Sequence, residues 1–330
     1  MKLSVLDQSP IPAGGSGGQS LRNSIELAKL ADDLGYHRFW MAEHHATPAL
    51  ASASPEIMLA ALGMATSRIR LGTGGVMLPH YSAFKVAESF SMLAGLFPGR
   101  IDLGIGRAPG SDQLTAVALQ QDRTRRAPYI FPEQVGELLG YYDGALPDDH
   151  LFRHLPRTLP GGAEKPEIWM LGSSPDSARL AAAMGLPYCI ADFIAGESPD
   201  LADLYRHAFH PSPRAETPKV MVACWTIAGE SAEHAEYLAA PSRMMMTLLR
   251  QGQFIAVPSA EDATRWLAEN PAPTLSGRAP ILGDAAQCAT AIHRKAELYG
   301  ADEVMLVNIL HDHSERLASY RRIAAEMLPA

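Results

Sequence analysis

The side chains best equipped for chemistry lie at Ala42-Glu43-His44-His45, where a carboxylate and two adjacent histidines close the apolar run Phe39-Trp40-Met41. Residues of these types move protons, ligate metals or hold anions. On a strand, alternate side chains face opposite sides, so Glu43 and His45 share a side that His44 does not. That alternation disfavours a metal held by both histidines, and no HExxH spacing accompanies them. One inward histidine at a strand end suits proton transfer or a hydrogen bond to an anionic intermediate. A purely structural strand-end histidine is the plain alternative.

Three further clusters carry chemical potential. Gly172-Ser173-Ser174, followed by Ser177 and a helix, offers hydroxyls and free backbone N–H groups at a helix N terminus. These groups suit a phosphate, and equally an ordinary N-cap. Arg107 can grip the same phosphate in bidentate fashion or form a surface ion pair. Thr73-Gly74-Gly75 leaves backbone bare where a planar ring can lie, or marks a bulge. There is no GxSxG elbow and no catalytic-cysteine signature.

The elements needed to position these groups are legible. Apolar segments at residues 3–6, 39–42, 69–78, 100–107, 168–171, 188–191, 220–227 and 303–308 read as strands, with helical periodicity between them. Ser20 is the expected cap of the first helix, and Ser54-Pro55 opens the second. The eightfold strand–helix repetition predicts an α/β fold, a single (β/α)8 TIM barrel spanning 1–330. An insertion at about 231–282 separates the seventh and eighth strands. A doubly wound sheet would want GxGxxG after its first strand, and Gly14-Gly15-Ser16-Gly17-Gly18 does not match. In a barrel, the four clusters meet at the mouth formed by the C-terminal strand ends, a pocket for a large, flat, anionic ligand. Loops at 108–126, 147–166 and 231–282 are expected to cover it. The helices at 57–65 and 83–96 are candidates for a homodimer interface, the first because it is apolar nearly all round.

Composition narrows the partners. With 28 Lys and Arg against 36 Asp and Glu, net charge is −8, which argues against nucleic acid. The 3 cysteines, Cys189, Cys224 and Cys288, have no CxxC or zinc spacing and fit a reducing compartment. The chain opens directly in a strand, without a signal peptide, and no apolar run reaches the length of a membrane span. A cytoplasmic protein is expected.

These motifs also resemble, in order and over nearly the whole chain, the bacterial luciferase-like, flavin-dependent monooxygenases. The matching pieces are Ala42-Glu43-His44-His45, the stretch from Leu71 to Pro79, the stretch from Phe97 to Arg107, Gly172-Ser173-Ser174, and Tyr299-Gly300-Ala301-Asp302-Glu303. The opening residues, Leu3 to Pro10, resemble the single-chain members of unassigned substrate. The resemblance implies FMN as cofactor, supplied reduced by a separate flavin reductase, with O2 and a small organic substrate meeting at a flavin peroxide. It implies that His44 assists that chemistry, and that Arg107, Gly172, Ser173, Ser174 and Ser177 surround the phosphate. Thr73, Gly74 and Gly75 would lie beside the ring, with a non-prolyl cis peptide among them. Light-emitting members carry a cysteine before the mouth arginine, where this chain has Gly106, and a tyrosine soon after it, where this chain has Ala108-Pro109-Gly110. Light emission is therefore not implied. A deazaflavin-dependent hydride transferase and a non-catalytic flavin-binding barrel are the alternatives, with a metal-dependent hydrolase more distant.

Overall fold

The structure, a computed structural model, describes residues 1–107, 113–119, 130–271 and 280–329. Its frame is a closed 8-strand parallel barrel with intervening helices. The chain runs β1 (Lys2–Asp7), α1 (Gly17–Leu34), β2 (Arg38–Met41), α2 (Pro55–Ala65), β3 (Arg70–Thr73), β4 (Val76–Met77), α3 (Ala83–Leu96), β5 (Ile101–Gly106) and α4 (Gln113–Leu119). It continues with α5 (Phe131–Asp143), β6 (Glu167–Gly172), α6 (Pro175–Ala183), β7 (Tyr188–Ala191), α7 (Asp192–Ala195), α8 (Asp200–His207) and β8 (Val220–Ala228). Then come α9 (Ala232–Arg250), α10 (Ala260–Glu269), β9 (Ile281–Gly283), α11 (Ala285–Tyr299), β10 (Glu303–Val307) and α12 (His313–Met327). Around the barrel the order is β1-β2-β3-β5-β6-β7-β8-β10, and β10 pairs with β1 to close it. β4 adds to β5, and β9 pairs only with the far end of β8, so α9, α10 and β9 add no stave to the barrel.

The eight predicted strands supply the eight staves. Two details differ. The 69–78 segment is not one strand: it breaks after Thr73, where the Gly74–Gly75 peptide is cis, and resumes as β4 before a 3-10 turn at Leu78–His80. The first helix is capped by Ser16, whose Oγ accepts from the Gln19 amide at 3.3 Å. Ser20 instead sits inside that helix and donates back to the Ser16 carbonyl. The expected cover at 108–126 and 231–282 lies partly outside the described residues, at 108–112, 120–129 and 272–279.

The barrel interior is layered. At the N-terminal strand ends Arg38 pairs with Asp102 (2.8 Å) and Glu303 (3.1 Å), while Arg70 binds the other Asp102 oxygen. Above this charged floor Trp40 and Trp169 meet edge to face at 5.8 Å, packed with Leu6, Met221 and Met305. The Trp40 indole N–H donates to Asp102 (2.9 Å), joining floor to plug. The described interior is therefore filled, which leaves the C-terminal mouth as the end of the barrel where a ligand can enter. Replacing Arg38 by Met would strand the buried Asp102 and Glu303 carboxylates. We expect a loss of about 3–5 kcal/mol in urea unfolding; a loss below about 1 kcal/mol would show that the pairing carries little of the stability.

Candidate functional site

β2 ends at Met41, two residues before Glu43, so strand alternation does not govern the histidine pair. The loop does instead. Ala46 adopts a positive φ of 49°, and the His44 amide donates to the Ser52 carbonyl at 2.8 Å. Glu43 is fully buried and accepts from the Met77 amide (3.0 Å), the Tyr81 hydroxyl (2.9 Å) and His45 Nε2 (2.8 Å). Burial first, and then Glu43, raises the Tyr81 pKa, so that hydroxyl stays a donor. Glu43 and His45 thus form a pair without His44, but both imidazoles line one cavity, so the expected separation of the two histidines to opposite sides does not hold.

His44 has a different environment. Its Nδ1 is buried with no hydrogen-bond partner, and burial, followed by the neighbouring His45, pushes its pKa down to about 4. It is neutral at physiological pH. Among the described residues, no group of three or more His, Cys, Asp or Glu side chains is arranged to hold a metal ion.

The phosphate-type cluster is more subtle than its sequence. Gly172 is the last residue of β6, and glycine is needed there because a Cβ would collide with Ser177 Oγ. Ser174 caps α6, accepting from the Ser177 amide, and Ser177 Oγ answers with bonds to the Ser174 carbonyl (2.7 Å) and the Tyr188 hydroxyl (2.9 Å). Both hydroxyls serve a reciprocal capping box, so the ordinary cap accounts for two serines rather than one. Ser173, half-buried, is left without a side-chain hydrogen bond to any described residue, and Arg107 stands beside the same helix end, half exposed. Its only ion pair among the described residues is with exposed Asp176 at 4.0 Å. That carboxylate, in the first turn of α6, was not singled out in the sequence; it competes with any anion for the helix N terminus.

Thr73 is fully buried and donates to the Gly104 carbonyl at 2.8 Å, so its side chain is committed to the barrel. A Cβ on Gly74 would come within 2.5 Å of Leu6 Cδ1, which fixes glycine there. The cis Gly74–Gly75 backbone packs against Leu6 and Trp40 of the barrel plug.

Two features of the cavity were invisible in the sequence because remote segments create them. Asp192 accepts from Lys295 Nζ (3.1 Å) and the Tyr299 hydroxyl (2.8 Å), which pins α7 and with it Phe193 and Ile194 on the cavity wall. Gln8, directly after β1, is 6% exposed and also lines the cavity. The run Asp7-Gln8-Ser9 at a strand end was the only available signal.

With this geometry in place, comparison with known proteins is decisive. The family model described as luciferase-like monooxygenase matches residues 1–303. The chain belongs to that family. This luciferase-like monooxygenase, an oxidoreductase that uses O2, is 38% identical to a luciferase-like monooxygenase of Escherichia coli (strain K12), over 96% of this chain and 94% of that one. It is 35% identical to N-acetyl-S-alkylcysteine monooxygenase of Bacillus subtilis (strain 168), over 100% and 99%. Among solved structures, apo-MsnO8 superposes with a TM-score of 0.89 at 37% identity, covering 98% of each chain.

His44 provides a check on the site's electrostatics. Its imidazole resonances should titrate near pH 4, against about 6.5 for a free histidine. Because the unfolded chain takes up that proton first, the histidine's contribution to stability is complete above about pH 6.5 and falls as pH drops toward 4. Side-chain NMR, assigned with His44→Ala, reads this; a midpoint at 6 or above would contradict the buried, unpartnered geometry.

Proposed function

We propose that this luciferase-like monooxygenase binds reduced FMN, delivered by a separate flavin reductase, and uses it with O2 to oxygenate a small organic substrate. What supports this reading is that His44 with its unpartnered Nδ1, the bare Gly74–Gly75 backbone, Arg107 and the α6 N terminus all follow the C-terminal ends of staves of one barrel, β2, β3, β5 and β6. When bound, reduced FMN supplies the electrons that activate O2. The protein does the rest. Arg107, Ser173 and the α6 amides hold the phosphate, while Ser174, Ser177 and Gly172 fix the helix end that presents them. The backbone of Thr73, Gly74 and Gly75 supports the ring. His44, neutral at working pH, accepts a proton at Nδ1 and returns it. The filled barrel beneath keeps water from one side of the reacting centre.

Anaerobic titration with reduced FMN tests the reading. We expect a Kd well below 1 mM, weakened at least about tenfold by Arg107→Ala. Failure to saturate at about 1 mM would sink it, and tighter binding of the reduced deazaflavin coenzyme would favour hydride transfer instead. His44→Ala should keep flavin binding within about threefold while product formation falls by about 10²-fold or more. Unchanged turnover would remove His44 from the mechanism.

The same reading includes a homodimer formed through α2 and α3. Ile57 and Met64 on α2 and Met92 and Leu96 on α3 are exposed, Met64 by 82%, an apolar surface that a partner copy would cover. Light scattering should give a dimer for the native chain and a monomer for Met64→Glu; a native monomer at micromolar concentration would refute it.

A further inference from the structure

The mouth cavity, of roughly 540 Å³, extends away from His44 to a wall built by the segment that follows β8. Met245, Met246 and Leu249 of α9 line that wall, with Phe254 and Ile255 from the turn after it. Phe193 and Ile194 of α7 close the opposite side. The described lining contains no Asp, Glu, Lys or Arg. Some polar members are committed: Ser242 Oγ donates to the Ile309 carbonyl at 3.2 Å, and His45 is held by Glu43. Others are open. Trp225 Nε1 and His44 Nδ1 are buried without a partner, and Gln8, a buried residue of the same lining, makes no side-chain hydrogen bond to a described residue.

A buried polar N–H without a partner, as at Trp225 Nε1, is costly unless a ligand completes it, and an ionised ligand group entering a cavity whose described lining is uncharged and largely apolar is costlier still. Gln8 is also held still. Asp7 on one side of it accepts from the Ser9 amide at 2.8 Å and from Arg316, so the strand end carrying the amide is fixed by a buried ion pair. Methionine side chains opposite adapt to the shape of an apolar body without specifying it.

We propose that the substrate is an uncharged, predominantly apolar molecule bearing one hydrogen-bonding oxygen, such as a ketone or ester, with its body against the α9 wall and its oxygen on the Gln8 amide. This rests on the monooxygenase reading above but is tested apart from it, because the probes report on Gln8 and the α9 wall rather than on flavin binding. It also sets this chain apart from a relative whose name specifies an N-acetyl-S-alkylcysteine, a molecule that carries a carboxylate.

Four probes of matched size separate the terms: 4-phenylbutan-2-one, 4-phenylbutanoate, 4-phenylbutylamine and n-butylbenzene. Calorimetry on the full chain without flavin should show the ketone binding at least about tenfold tighter than either ion. Gln8→Leu should weaken the ketone about fivefold or more and leave butylbenzene unchanged. Met246→Lys should shift preference from ketone to carboxylate by about tenfold, which shows that the α9 wall is the surface being read. Equal or tighter binding of an ion to the native chain overturns the proposal, as does a Gln8→Leu variant that binds ketone and hydrocarbon as the native chain does. Failure of reduced FMN to bind would leave these four affinities intact, so the two readings fail separately.

Discussion

The site depends on one buried carboxylate. Glu43 has no contact with solvent, and its charge is tolerated because three donors from separate stretches of chain converge on it. Met77 belongs to β4, Tyr81 follows the 3-10 turn, and His45 lies in the loop after β2. A carboxylate withdrawn from water and short of partners destabilises a fold by several kcal/mol. The loops after β2 and β4 therefore settle where all three donors reach it. His44, caught between Glu43 and His45, inherits its position from that arrangement, as does the Gly74–Gly75 turn that precedes β4.

The barrel separates its tasks along its axis. Arg38, Arg70, Asp102, Glu167 and Glu303 concentrate charge at the N-terminal ends of the strands, where they tie β2, β3, β5, β6 and β10 together. The two tryptophans fill the middle, with the Arg38 guanidinium 4.8 Å from the Trp169 ring centroid. The mouth is left apolar, with few fixed charges among the described residues. An apolar mouth magnifies whatever electrostatic groups it does contain, which is why one neutral imidazole and one amide carry so much of the argument there.

The fold was legible because the strand period, the glycine stops and the proline starts repeat at barrel spacing. The eight staves could be read from residues that each act within a few positions of themselves. The placement of 43–45, Arg107 and 172–177 was legible for the same reason: the groups follow strand ends. What sequence could not convey was commitment. Ser174 and Ser177 look free for a ligand until their capping box is seen, and Asp176 looks like an ordinary first-turn acid until it lies beside Arg107. Gln8 and the Asp192–Lys295–Tyr299 cluster depend on partners or emptiness contributed by remote segments. The break after Thr73 escaped the strand assignment because an apolar run does not show a change of peptide geometry.

The attachment of the α9 wall has a consequence for how such a protein can change. β9 leans on the tail of β8, while β10 pairs directly with β8 and β1. The residues that shape the far side of the cavity are therefore hung from the barrel rather than woven into it. Mutations there can accumulate without loosening a stave, and selection can reshape that wall while closure of the ring, the charged floor and the cis Gly74–Gly75 turn stay as they were. New specificities in this architecture are expected to arise in one excursion of the chain, with the strand ends around His44 inherited intact.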